Sequence, residues 1–372
     1  MKVYCVLFDA MPFENDLINF AEKNSADFHH QVSGCYTTTS VLSLLSSLLP
    51  SQIIENGVGY HTPERLIENG EFWNDFILFD KLDREKWSMF THNSIWIKNN
   101  IFNKFDVERT TSLSCGASGE VGGVWGKRET EDLLTEINDE SKLMQQREIE
   151  HVREIQKRKT TKNEFHFIIY HHYHALVTKP GASRDAVFQH TRELMNTWDF
   201  SEENAAFWFF ADHGDFTKID EFCSPPHSWT TWAITKNNIT KKRSSRKLIS
   251  ILDFIPSLTD VFDVKIDGSL GQSIYHSDDL NRIFLFEDSR AHIDLFRSTT
   301  AAAISCKLRH QDGTPKIIEQ TSFYLPTRDV ISMNFDYDSR SLCPGGITFK
   351  DDHLREMKKT FKWIPQNNLE IT

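Results

Sequence analysis

A chain of 372 residues is more than twice the size of an ordinary single domain, which fits one large α/β domain with an appendage and excludes a peptide-like or disulfide-stapled scaffold. With 39% hydrophobic and 26% charged residues, 28 Phe and 9 Trp, it can bury a core and is too apolar for a disordered chain. Lys and Arg number 42 against 53 Asp and Glu, giving a net charge of −11 that argues against a phosphate-backbone partner such as nucleic acid.

The first apolar run, Val3 to Phe8, ends in Asp9. This is the pattern of a central parallel strand buried on both faces, with a polar residue at the carboxyl end where ligands of open α/β sheets bind. A core strand at the start of the sequence leaves no place for a signal peptide. No apolar run reaches the roughly 20 residues of a bilayer span, and mean hydropathy is −0.46. Six cysteines, Cys5, Cys35, Cys115, Cys223, Cys306 and Cys343, show no CxxC spacing, so neither a zinc knuckle nor a disulfide framework is indicated. The expectation is a soluble protein of the reducing cytoplasm.

From Thr38 onward, Val41, Leu44, Leu45 and Leu48 fall on one helical face and Pro50 stops the helix, placing Thr37 at or next to its N-cap. Trp87 to Phe90 reads as a strand leading to Thr91-His92-Asn93, and a Gly- and Ser-rich loop follows at 110–126. Residues 128–160 are dense in Glu, Lys, Arg and Gln, with Leu133, Leu134, Ile137, Met144, Val152 and Ile155 at helical spacing. They predict one or two long surface helices, either solvated or partner-binding. Phe165 to Tyr170 is a buried strand, Arg184 to Trp198 a helix, and Ala205 to Ala211 a second strongly apolar strand. That β-α-β alternation predicts a parallel sheet. A further helix is predicted over about Ser250 to Phe262, followed by strands at Ile283 to Phe286, Ala301 to Leu308 and Ile317 to Tyr324, with Asp312-Gly313 as a hairpin turn. The fold class expected is therefore α/β: a central, mostly parallel sheet flanked by helices, with a smaller C-terminal antiparallel sheet. The expected division is a catalytic domain over 1–280, carrying the charged insertion, and a subdomain with tail over 281–372.

Three of these strands end in residues that bind metals. Asp9 follows the first, His171, His172 and His174 follow the strand at 165, and Asp212-His213-Gly214-Asp215 follows the strand at 205. Carboxylate and imidazole groups arriving from adjacent strand ends are what a hard-to-borderline divalent ion requires, although a carboxylate there can also simply cap a turn or helix. Thr37 supplies a nucleophile. A hydroxyl at a helix N-terminus sits among free N–H groups at the positive end of the dipole, where a tetrahedral oxyanion binds, and a metal can activate it. A Thr-Thr-Thr-Ser run before a helix is equally the composition of an N-cap.

In order and spacing these pieces resemble the alkaline phosphatase and sulfatase superfamily. The matching segments are Val6-Leu7-Phe8-Asp9, the stretch from Thr37 to Pro50, and Phe210-Ala211-Asp212-His213-Gly214-Asp215, with Ser250 to Leu258 and Asp267-Gly268-Ser269-Leu270 as later matches. The resemblance covers about residues 3–325. It implies that Asp9, Asp212 and His213 hold a divalent metal, zinc foremost, with manganese, magnesium or calcium as alternatives. It also implies that Thr37 is a metal-bound covalent nucleophile, allowing a one-residue slip to Thr38. His227, and His172 or His174, fall where relatives place histidines that bind a second metal or the leaving group.

The sequence departs from the sulfatase pattern: Thr37-Thr38-Thr39-Ser40-Val41 stands in place of a Cys-x-Pro-x-Arg-like motif, and Ala10 rather than a second Asp follows Asp9. The expected function is thus a metal-dependent hydrolase of phosphate esters or phosphodiesters, small or glycan-linked, acting through a phospho-threonine. The alternatives are a soluble phospho-group transferase to a glycan or other hydroxyl, a sulfatase-like hydrolase, and a non-catalytic binding protein on a degenerate fold. Oligomeric state is not readable from the sequence.

Overall fold

The computed structural model describes residues 1–33, 37–47, 82–83, 85–92, 106–107, 146, 148–170, 184–213, 230–244, 246, 248–264, 269, 271–276, 284–288, 302–311, 314–324, 330–332, 334–336 and 341–343. In chain order the elements are β1 (Lys2–Phe8), α1 (Asp16–Lys23), β2 (Asp27–Val32), α2 (Thr37–Ser46), β3 (Trp87–His92), β4 (Asp106–Val107), α3 (148–157), β5 (Asn163–Tyr170), α4 (Arg184–Thr197), β6 (Ala205–Phe210), β7 (Thr230–Asn237), β8 (Leu248–Ser250), a 3-10 turn (Ile251–Asp253), α5 (Phe254–Phe262) and β9 (Phe284–Asp288). Five more strands follow: β10 (Ala302–Gln311), β11 (Thr314–Tyr324), β12 (Val330–Ser332), β13 (Asn334–Asp336) and β14 (Ser341–Cys343).

Eight strands form one sheet in the order β4-β3-β5-β1-β6-β7-β2-β8. The pairs β3/β4, β3/β5, β1/β5, β1/β6 and β2/β8 are parallel, and β6/β7 is antiparallel. This is the mostly parallel α/β sheet expected. The smaller antiparallel sheet, in the order β12-β11-β10-β9, is present as well, with Gln311 opposite Thr314 at the end of the β10/β11 pair. The chain divides into two compact units, Met1–Phe28 with Leu82–Ala211 and Ala233–Arg243, and His29–Lys81 with Asp212–Trp232 and Ser244–Thr372.

In the first unit the core is the β5-β1-β6 triplet. Every residue of β1 and β6 is buried, as is β5 from Glu164 onward. Strands packed on both faces must be apolar throughout, which is why these segments read as continuous hydrophobic runs. One face is aromatic: Tyr4 lies 5.3 Å from Phe207 and 5.0 Å from Trp198, ring centroid to centroid, and Phe200 stacks on Phe207 at 4.7 Å. Helix α3, the described part of the charged segment, buries Val152 and Ile155 fully. Lys2 Nζ donates to the carbonyls of Ile155 and Gln156 at 3.3 and 2.8 Å, satisfying acceptors near the C-terminal end of α3 with a cation. The rest of 128–160 and the loop at 110–126 lie outside the described residues.

In the second unit, α2 buries Val41, Leu44 and Leu45, the face predicted from spacing, while Leu48 and Pro50 lie outside the described residues. The helix predicted from Ser250 divides in two. Asp253 accepts from the Ser250 N–H at 2.9 Å while Ser250 Oγ accepts from Leu252 N at 3.2 Å, and this reciprocal cap tightens the first turn to 3-10 before α5 begins. Gly271 packs against that turn so closely that a Cβ there would collide with the Leu252 carbonyl, so only glycine fits.

Candidate metal centre

Strands β1 and β6 pair in parallel with Leu7 opposite Phe210. Asp9 stands two residues beyond Leu7, and Asp212 stands two beyond Phe210, so the register brings both carboxylates to the same end of neighbouring strands. The backbone fixes Asp9 twice over: its N–H donates to the Tyr170 carbonyl at 3.0 Å, and Met11 N–H donates back to Phe8 O at 3.3 Å. That closes a tight turn whose third residue, Ala10, has φ 59°.

The side chains converge. One ligand atom from each of Asp9, Asp212 and His213 lies within 4.8 Å of the others, and among the described residues this is the one such group of three. All three are buried, at 2%, 0% and 0% exposure. His213 Nε2 is 3.6 Å from Asp212 Oδ2. Among these three groups two carboxylates stand with one imidazole, a buried set whose oxygens and nitrogen a cation would satisfy. Oxygen and nitrogen donors at that spacing are a set that zinc or another divalent ion accepts, so the residues fit a divalent metal.

Thr37 is the first residue of α2, as its role at a helix N-terminus requires. No acidic residue lies in the first turn of α2, so the positive end of the dipole there is not offset by a carboxylate on the helix itself. The sequence did not reveal Ser40. One turn beyond Thr37, its buried hydroxyl donates to the Asp212 carbonyl at 2.8 Å and ties α2 to the segment that carries Asp212 and His213. His172, His174 and His227 lie outside the described residues, so the second metal or leaving-group site has no geometry here. Cys5, mid-strand in β1, is a free thiol that burial pushes well above its ordinary pKa, which makes it an inert core residue.

Comparison with solved structures sets this geometry in a known architecture. A protein of the alkaline phosphatase superfamily from Vibrio parahaemolyticus aligns over 97% of this chain and 85% of its own, at 12% identity and TM-score 0.56. The phosphonate monoester hydrolase of Agrobacterium radiobacter aligns over 96% and 95%, at 9% identity and TM-score 0.57. That of Silicibacter pomeroyi aligns over 97% and 94%, at 12% identity and TM-score 0.53. The fold is that of the alkaline phosphatase superfamily. No family model and no curated protein matches the sequence, so the likeness is carried by structure. Asp9 stands just after β1, Asp212 and His213 just after β6, and Thr37 at the start of α2. No helix among the described residues is long and apolar enough to cross a membrane.

Proposed function

We propose that this protein is a metal-dependent hydrolase of phosphate or phosphonate monoesters or phosphodiesters, with Thr37 as covalent nucleophile and a divalent ion, zinc foremost, held by Asp9, Asp212 and His213. The observation that carries this reading is the convergence of those three buried side chains at the ends of β1 and β6. The superfamily fold, and the phosphonate monoester hydrolases among the proteins that share it, support the substrate class.

When bound, the ion supplies a Lewis acid that lowers the pKa of a hydroxyl and offsets charge on a phosphoryl oxygen. The chain supplies the rest. Asp9 and Asp212 provide the negative charge that retains the ion, and His213 adds a neutral nitrogen ligand. The N–H groups at the start of α2 donate to the phosphoryl oxygens, which carry more charge in the transition state than in the substrate. Thr37 Oγ attacks phosphorus, its O–P bond forming as the ester oxygen leaves. Water then cleaves the covalent threonine intermediate, releasing phosphate or phosphonate from a monoester and a phosphate monoester from a diester, and restoring the hydroxyl. Threonine in place of a modifiable Cys, and the lack of the Arg of the sulfatase motif, weigh against sulfate hydrolysis by the formylglycine route.

The test joins metal analysis of the purified protein to a panel of aryl phosphate, diester, phosphonate and sulfate esters. Thr37→Ala and Thr38→Ala are compared, and substrate-quenched enzyme is mapped by mass spectrometry. Phosphorylation at Thr37, with activity lost only in the Thr37 variant, is the expected result. Unchanged turnover in Thr37→Ala, or a strong preference for sulfate esters, overturns the reading. A cytoplasmic setting belongs to the same proposal, and cell fractionation checks it.

A further inference from the structure

A second polar cluster lies buried in the first unit and takes no part in the proposed chemistry. His151 Nε2 of α3 is 3.1 Å from His92 Nδ1 of β3, His92 Nε2 is 3.0 Å from His166 Nδ1 of β5, and His166 Nε2 is 3.1 Å from Glu164 Oε2 on the same strand. All four side chains are buried, with none more than 4% exposed. Glu164 and His166 are two apart on β5, so they share a face, and Phe90 pairs with His166 in register, which brings His92 to that face too.

Proton counting fixes the chain's direction. A carboxylate only accepts, so His166 must donate from Nε2. A neutral His166 then accepts at Nδ1, which requires His92 to donate from Nε2 and accept at Nδ1, and that requires His151 to donate from Nε2. All three bonds are satisfied with three neutral histidines, each carrying its proton on Nε2. An added proton on His92 puts a second N–H against a nitrogen that is already donating, so that bond breaks unless His151 moves its proton to Nδ1. One further proton can be housed on His166, next to the Glu164 carboxylate, when His92 and His151 both move their protons to Nδ1. A second has no place in the chain.

We infer that the Glu164–His166–His92–His151 chain is a pH-sensitive latch: it holds α3 on the sheet until it takes up more protons than it can house, and then it loosens α3. Because the latch lies in α3, β3 and β5, it is independent of the reading of the metal centre. Among the described residues, charged and titratable groups face it from α3, β1 and α4, and on β4 Asp106 pairs with Phe90, the residue that also pairs with His166. Arg158, at the end of α3, lies 4.9 Å from the Phe90 ring centroid and disfavours a further positive charge on His92. Burial is the larger cause, and with His166 and His151 it holds the His92 imidazole well below its ordinary pKa. At Glu164 burial works upward, but the His166 hydrogen bond and charge, with Arg158 and Lys2, outweigh it and hold the carboxyl below its ordinary value. From β1, Tyr4 stacks on His166 at 5.4 Å between ring centroids, and its hydroxyl donates to Glu202 of the loop after α4. From α4, His190 pairs with Glu148 of α3 at 3.0 Å, a contact in which a carboxylate can accept a protonated partner, so this second tie of α3 survives acid.

The experiment is backbone hydrogen exchange on the full chain, read as protection factors for residues 148–157 at pH 7.5 and 5.5. It is joined to nitrogen NMR of labelled histidine. Each histidine that takes up its proton only when α3 opens, with an open-state pKa near 6.5, raises the opening constant about tenfold over that range. Protection of 148–157 should therefore fall at least tenfold, while that of β1 and β6 holds. His92→Gln, whose amide donates and accepts in the required directions without titrating, should remove about tenfold of that fall. At pH 7.5, His92 and His166 should both show the Nε2–H tautomer. Protection in α3 that does not change with pH, or an Nδ1–H tautomer at His92, overturns the inference. The wild-type readouts decide it even if the variant fails to fold.

Discussion

Two buried polar clusters stand on the same sheet and differ in how their charge is balanced. The histidine chain across β3, β5 and α3 matches donor to acceptor at each of its three hydrogen bonds, and Arg158 and Lys2 act on its single carboxylate. The cluster after β1 and β6 holds two carboxylates and a single imidazole. A buried network whose donors and acceptors match internally stiffens a fold, whereas a buried excess of one charge calls for a ligand of the opposite sign. The difference in composition, rather than in burial, separates an internal tie from a binding site.

The contrast breaks first at Asp212. Asp212→Ala removes one of the three proposed metal ligands, and with metal withheld from both proteins the wild type should lose its advantage. Turnover of an aryl phosphate or phosphonate ester should fall a thousandfold or more, about 4 kcal/mol in the barrier, with metal content falling alongside it. Full metal occupancy in Asp212→Ala would refute the ligand assignment.

A second pair of variants should move stability in opposite directions. Glu164→Ala leaves the buried His166 Nε2–H without its charged acceptor and should cost about 2 to 3 kcal/mol in chemical denaturation. Asp9→Asn, in metal-free protein, lowers the excess of buried negative charge and should raise stability by about 1 kcal/mol. If both variants lose stability, the acidic cluster is balanced within the chain and the argument for a resident cation fails.

The sequence showed one cluster and hid the other, for a physical reason. Asp9 and Asp212-His213 stand out because each interrupts a continuous apolar run at its end, where a doubly buried strand exposes its next residues to a ligand. His166 lies inside such a run, between Phe165 and Phe167, and passes for part of the core. His92 lies 74 residues from it in sequence, and His151 lies 59 from His92, so strand register and the packing of α3 bring them together. Strand β2 was hidden for a related reason. Its buried residues include His29, His30 and Gln31, a polar pattern that hydropathy cannot mark as core. The structure accommodates it with His29 Nδ1 at 2.7 Å from the Arg246 carbonyl and Gln31 donating to Thr231 Oγ1 at 3.4 Å. The 3-10 turn before α5 was missed because Ser250 and Asp253 read equally well as the cap of a longer helix.

Acid should separate the clusters again. His92 has its folded-state pKa depressed, so the unfolded chain binds more protons than the folded one below about 6.5, and stability rises with pH in that range. The contribution is complete above pH 6.5 and is lost as pH falls below it. A denaturation midpoint that declines between pH 7 and pH 5.5 in the wild type, and declines less in His92→Gln, is expected. Ser40→Ala, which removes one hydroxyl bond to the Asp212 carbonyl, should cost about 1 kcal/mol with little pH dependence. Its signature is weaker metal binding, restored in part by Ser40→Thr.

The smallest expected effect concerns backbone strain, which also divides the two regions. Ala10, next to Asp9, sits at φ 59°, while no member of the histidine chain has positive φ. An alanine in the left-handed region costs about 1 kcal/mol or more relative to glycine, offset in part by the greater freedom glycine has in the unfolded chain. Ala10→Gly should therefore stabilise the protein by roughly 0.5 kcal/mol. Strained backbone persists where the surrounding structure over-determines it, and it concentrates at sites that position a functional group. Here the hydrogen bonds of Asp9 N–H to Tyr170 and of Met11 N–H to Phe8 hold the turn on both sides of Asp9. If the strain serves to hold the Asp9 carboxylate at its post, the glycine variant should gain stability yet bind metal a fewfold more weakly. A variant that gains stability with metal affinity intact would show that the two hydrogen bonds suffice to place Asp9, and that the strain is only the cost of ending β1 in a turn without glycine.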